Sequence, residues 1–322
     1  RRHRTPGAPL TTFADDLAAL PGTTATRSEA AERAVALGPP STDAEEWRYS
    51  RVDELDIARY RPVVAAPDHD AGPVPELPEG EGPWAAVVTV ADGWVTDVAV
   101  HDPAVTVVHG DDDPALGAVL GEAPDSFVQW TVALAPTPVV VRVARGAKVA
   151  HPVLVRSAGV TVDGLSTPRL LIAADEGAEV TVVEHQTSRP GARLVLPLVE
   201  IDVAARGRVA YTVAQELDGE TWQLADVVAR VGQEGHLVVG AVALGGDYTR
   251  LRTDCRLEGR GASGDLLAAY FGEDDQTLDF RTFQDHLAPD TTSDLLFKGA
   301  VGGRSRSIYT GLITVRPDAR GT

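Results

Sequence analysis

From about residue 84 onward the chain alternates. Val209, Tyr211 and Val213 share one parity, and so do Val149, His151, Val153 and Val155. A period of two sends successive side chains to opposite faces of a strand. Val, Ile, Thr and Leu dominate and helical periods are scarce, so the region reads as nearly all β. His151 keeps step with the valines and is expected to point inward. A turn also recurs, with small or charged residues around a glycine and a strand after it. It appears at Gly146 (ARGAKV), Gly177 (DEGAEV), Gly207 (AARGRV), Gly235 (GQEGHL) and Gly261 (GRGASG), at spacings of 31, 30, 28 and 26 residues. Gly302-Gly303 follows about 41 residues later. A repeat of roughly 30 residues, with no helix between strands, predicts a β-helix whose coils bury inward side chains against their neighbours.

The first 60 residues read differently. Ser28 to Leu37 is rich in Ala, Glu and Arg, with Ser28 placed to cap a helix and Gly38-Pro39-Pro40 to end it. Ser41 to Tyr60 is expected to form a second helix, opening on Ser41-Thr42-Asp43 with acidic residues in its first turn. Pro-rich acidic sequence then reads as a linker. The expected organisation is a helical region over 1–62, a linker over 63–83 and a β-helix core over 84–322. The fold class is mostly β, with a small α-helical N-terminal region ahead of a right-handed parallel β-helix.

Composition narrows the function. Of 322 residues, 43% are hydrophobic and 24% charged, ordinary values for a globular protein. No apolar run approaches the ~20 residues that span a bilayer. Arg1, Arg2, His3 and Arg4 are followed by no apolar segment and soon by Asp15 and Asp16, so a cytoplasmic location is expected. The formal charge of −18 repels phosphate backbones and disfavours nucleic acid as a partner. Cys255 is the sole cysteine, which excludes an intramolecular disulfide and a multi-cysteine metal site within the chain.

Candidate chemistry is sparse. Gly259 to Gly264 matches a GxGxxG fingerprint, yet Arg250, Arg252, Asp254 and Arg256 charge the segment before it, and Gly272 breaks the one after. A glycine-rich turn between coils fits better than a dinucleotide site. Asp111-Asp112-Asp113 lacks the ligand spacing of a calcium loop and reads as a solvated acidic turn. The eight histidines form no HxH or HExxH pair. Cys255 sits in an alternating strand, where a buried structural thiol is the default. No GxSxG elbow is present, so no catalytic residue is assigned.

Several segments nevertheless resemble the SufB/SufD family of iron–sulfur assembly proteins. Pro40 to Ser50 (PSTDAEEWRYS), with Glu46, Trp47 and Tyr49, is similar to the EEW segment of the SufD branch. Pro168-Arg169-Leu170-Leu171-Ile172, followed by Gly177-Ala178-Glu179-Val180 and Glu184, is similar to a mid-chain family stretch. Gln276, Asp279, Thr282, Asp285-His286-Leu287-Ala288-Pro289, Ser293, Gly299, Ser305-Arg306 and Gly311 follow a third. The resemblance implies a β-helix scaffold that is not itself an enzyme, pairs with a SufB-like subunit and binds a SufC-like ATPase. It implies no tightly bound cofactor, but a transient iron–sulfur cluster and a reduced flavin at the level of the complex. The family's subunit interface, its CSH motif and its helical C-terminal region are expected beyond Thr322, so none of those residues carries over. Cys255 and His286 remain as weak metal candidates, with His286 expected to order a turn beside Asp285 and Pro289. The competing expectations are a β-helix carbohydrate enzyme using Asp274, Asp275, Asp279 and Asp285, or a plain β-solenoid interaction module.

Overall fold

A computed structural model describes residue 13 and residues 16–21, 25–67 and 82–322. The basic tetrad Arg1, Arg2, His3 and Arg4, and residues 68–81 of the expected linker, lie outside the described residues. Two helices are described, α1 (Ala25–Leu37) and α2 (Ser126–Leu134). The early strands are β1 (Arg61–Pro62), β2 (Ala86–Ala91), β3 (Trp94–Val100), β4 (Val105–His109), β5 (Val139–Val143), β6 (Val153–Gly159), β7 (Gly164–Ser166) and β8 (Arg169–Ala174). The middle strands are β9 (Glu179–Ser188), β10 (Arg193–Val195), β11 (Leu198–Val203), β12 (Arg208–Glu216), β13 (Thr221–Val231) and β14 (His236–Ala243). Five more complete the set: β15 (Tyr248–Leu257), β16 (Ser263–Gly272), β17 (Thr277–His286), β18 (Thr292–Val301) and β19 (Arg306–Val315).

From β8 the chain winds as a solenoid between two parallel sheets. One sheet carries β8, β11, β13, β15, β17 and β19; the other carries β6, β9, β12, β14, β16 and β18. In-register ladders run along the stack, as in Val180, Val209, Leu237, Gly264 and Ser293. The inward parity of both sheets forms the core, including Val182, Tyr211, Val239, Ile201, Val227 and Phe280. Antiparallel pairs β2–β3 and β4–β5 start the stack.

The recurrent turn is one corner of the coil, and its phase differs from the glycine count. Gly146, Gly177 and Gly261 occupy the left-handed position, but Arg206 and Glu234 take it in the intervening coils, one residue before Gly207 and Gly235. Corner hydrogen bonds link successive coils, from Gly146 N to Glu176 O and from Gly177 N to Ala205 O. The Gly302-Gly303 turn belongs to the opposite corner, stacked on Asp274 through Arg304 N–H to Asp274 O. The next turn in phase after Gly261 is Asp290, which accounts for the irregular spacing of 41.

Four other expectations are corrected. Helix α1 starts at Ala25, so Ser28 lies inside it and is not its cap; Gly38, at φ +68°, closes it with N–H to Ala34 O. Ser41 to Tyr60 is no helix but three single 3-10 turns. Its buried residues Trp47, Val52, Ile57 and Tyr60 are spaced too widely for one helical face, and Thr42 bonds Asp53. Helix α2, SFVQWTVAL, interrupts the β region; every residue in it is buried, which erases the periodicity that reveals amphipathic helices. His151 is exposed, because β6 begins only after Pro152 and the valine parity does not reach back to it.

The outward face of the first sheet is covered as well. Val140, Leu171, Leu194, Leu198, Trp222 and Val228 form a second core with α1, α2 and the Trp47–Tyr60 turns. The first sheet is therefore buried on both faces along much of its length.

Candidate functional site

Strand β15 sends Leu251, Cys255 and Leu257 inward and Arg250, Arg252 and Asp254 outward. A charged row on a sheet would ordinarily face water. Here the 45–60 segment, a strap across the outer face, covers it. Arg250 lies over the Trp47 ring at 3.9 Å, donates to Glu46 O at 3.0 Å, and pairs with buried Asp279 at 3.1 Å. Arg252 donates to the Glu46 carboxylate and to Asp254 at 3.0 Å. Arg51 extends the strap to Asp247, which also accepts from Trp222 Nε1 at 2.8 Å. Trp47 packs against Phe127 of α2 with ring centroids 5.9 Å apart. Glu46 and Trp47 are thus brought together with the β15 arginines, while Tyr49 is exposed.

The other motif positions are tie points of the same kind. Pro168 is buried and its carbonyl accepts from Leu198 N. Arg169 is buried against Glu200 at 2.7 Å, and Glu200 also accepts from Gly117 N, fixing the loop before α2. Asp285, His286, Pro289 and Ser293 meet at one corner. His286 has Thr291 Oγ1 at 2.8 Å on Nδ1 and Ser293 Oγ at 3.0 Å on Nε2. Desolvation lowers its pKa, against the opposing charge of Asp285. Asp285 pairs with Arg316, and Pro289 O accepts from Gly261 N. A side chain at Gly299 would strike the Tyr270 ring, its Cβ falling 1.9 Å from Cε2, and one at Gly311 would strike Tyr309 Oη.

Cys255 is 1% exposed and packs in the inner core. Burial pushes its thiol up to about 12, so it is protonated at neutral pH. It faces Gln284 on β17 and His286 faces Leu257, so the two are out of register. No group of three or more His, Cys, Asp or Glu that could hold a metal occurs among the described residues. Asp275 pairs with Arg304, Asp279 with Arg250 and Arg281, and Asp285 with Arg316, so these carboxylates are dispersed into ion pairs rather than gathered as a glycosidase pair. The acidic turn is not simply solvated: Asp111 holds buried Arg27, and Asp113 holds Arg142. Gly259 to Gly264 is a corner between β15 and β16 with no helix after it.

Glu200, Asp226, Asp247 and Asp125 were not singled out from the sequence. The available signal was the charged parity of β15, which needs counter-ions wherever something covers it.

Residues 156–322 match the SufBD core domain of the SUF system for FeS cluster assembly. An iron–sulfur cluster assembly SufBD family protein of Mycobacterium tuberculosis is 30% identical over 190 residues, 56% of this chain and 47% of that protein. One from Mycobacterium leprae is 28% identical over 191 residues, covering 57% and 48%. One from Staphylococcus epidermidis is 31% identical over 155 residues, covering 48% and 33%. The chain spans about half the length, or less, of these curated relatives.

Proposed function

This chain belongs to the SufBD family of the SUF iron–sulfur cluster assembly system, and from that premise we propose that it is a SufD-like, non-catalytic scaffold subunit. In this reading it works in the cytoplasm, pairs with a SufB-like subunit and binds a SufC-like ATPase that supplies the energy of ATP. The nascent iron–sulfur cluster is cargo of the complex.

The observation that carries the reading is the coincidence of the matched region with the solenoid, and of the motif positions with its tie points. Arg169, His286, Ser293 and Gly299 each lock a coil or a covering loop: Arg169 and His286 are buried, Ser293 Oγ is held by His286, and Gly299 lies against the Tyr270 ring. Such residues preserve a shape, which is what a scaffold must supply. One cavity, lined by Tyr211, Gln223, Thr249, Leu251 and Phe280 among others, has a volume of about 20 Å³. That volume accommodates a water or two; the reduced flavin, like the nascent cluster, belongs in this reading to the assembled complex.

Co-purification tests the proposal. A tagged full-length protein from its native cell is expected to bring down a SufB-like protein and a SufC-like ATPase, and to show no ATP hydrolysis alone. ATPase activity of the isolated subunit, or a well-folded bait that retains neither partner, would contradict it.

A further inference from the structure

Beneath the strap, at the N-terminus of α2, lie two carboxyl groups that the scaffold reading does not use. Asp226 projects outward from β13, is 7% exposed, and its Oδ1 has no hydrogen-bond partner. Asp125 caps α2, accepting from Phe127 N at 2.9 Å and Val128 N at 3.2 Å. The charged groups facing Asp226 are Asp125 from the α2 cap and Arg250, Arg252 and Asp254 from β15. Glu46 reaches the same arginines from the strap.

Acids outnumber bases on this patch. Asp125, Asp226, Asp254 and Glu46 share Arg250 and Arg252, and Arg250 is also committed to Asp279. Like charges held in a dry site cannot all ionise. Two helix amides favour the carboxylate of Asp125, whereas nothing donates to Asp226 Oδ1, so the surplus proton belongs on Asp226. Arg252 stands directly across from Asp226 in the β13–β15 register, on the same face.

We propose that the proton on Asp226 controls the seating of the strap. With Asp226 neutral, Arg252 and Arg250 hold Glu46 and Trp47. With Asp226 ionised, Arg252 turns to the buried carboxylate, Glu46 loses its partner, and residues 45–60 lift from the sheet. The strap is thereby a pH-sensitive cover over the arginine row. Burial and the charge of Asp125 both raise the pKa of Asp226. A carboxyl with a higher pKa folded than unfolded stabilises the fold below its unfolded value, and that stabilisation is lost as pH rises through the folded value. The strap is therefore seated in acid and loosened toward alkaline pH.

Amide hydrogen exchange on the intact chain, corrected for intrinsic base catalysis, reads the strap directly. Between about pH 5 and pH 9, residues 45–60 of the wild type are expected to lose protection by about ten-fold, the equivalent of one pKa unit. Asp226→Asn, which stays neutral, is expected to keep that protection constant. Equal loss in Asp226→Asn, or constant protection in the wild type, overturns the proposal. If Asp226→Asn fails to fold, infrared titration of Glu184→Gln decides, since removing that separate buried acid leaves the raised carboxyls of this one patch, Asp226 with its neighbours Asp125 and Asp254, to be read. A protonated-carboxyl band that vanishes in step with strap protection supports the proposal, and its absence overturns it.

Discussion

Arg169 brings a full charge into an interior where a lone cation is costly, and Glu200 is what makes it tolerable. Removing one member of such a pair strands the other, at a cost of about 3–5 kcal/mol, whereas replacing both with apolar residues is often near neutral. Glu200→Ala is therefore expected to lower stability by about 3 kcal/mol in denaturant unfolding, and Arg169→Met with Glu200→Leu to recover most of it. A Glu200→Ala loss below about 1 kcal/mol would show that the pair does not anchor the loop. Cys255 makes the opposite case. Its thiol is neutral and packed, so thiol reagents are expected to label it only at the rate of global unfolding. Its raised pKa adds stability below the unfolded thiol value, lost only as pH climbs toward about 12. Labelling faster than unfolding would contradict the buried placement.

At the scale of elements, the strap is the part with most at stake. Trp47 fills the space between Arg250 and Phe127. Trp47→Ala is expected to cost about 3–5 kcal/mol and to open residues 45–60 to limited proteolysis ahead of the solenoid. Unchanged proteolysis would mean that the ring does not hold the segment. The strands were legible in the chain because β12, with Val209, Tyr211 and Val213, buries one parity and leaves the other half-buried. Helix α2 was not, since a segment buried on all sides has no polar face to mark its period. The strap was misread as a helix because its capping residues and acidic turns are local signals, whereas its buried side chains are set by the outer face of a sheet some two hundred residues away. Arg250 and Arg252 were visible as charges in a strand; that Glu46 and Trp47 meet them follows only from the folded chain.

For the whole molecule, cohesion comes from repetition. Each coil stacks in register on the last, and arginines tie carboxylates one coil away, as in Arg230–Asp202, Arg260–Asp290, Arg304–Asp275 and Arg316–Asp285. Exposed pairs of this kind contribute little singly, a few tenths of a kcal/mol each. Their more important effect is on charge, since each sets an arginine beside a carboxylate where coils meet, so that like charges do not stack against each other there. The family motifs describe this stack: a corner at Asp285 to Pro289, a close contact at Gly299, a buried anchor at Arg169. Those positions were readable as a pattern before their roles were, because the roles depend on contacts between coils.

The central claim is that this stack is a scaffold for partners. The most direct measurement is affinity capture of the tagged full-length protein from its native cell, with partners identified by mass spectrometry. Stoichiometric recovery of a SufB-like subunit with a SufC-like ATPase is the expected result. A folded bait recovered alone would contradict it.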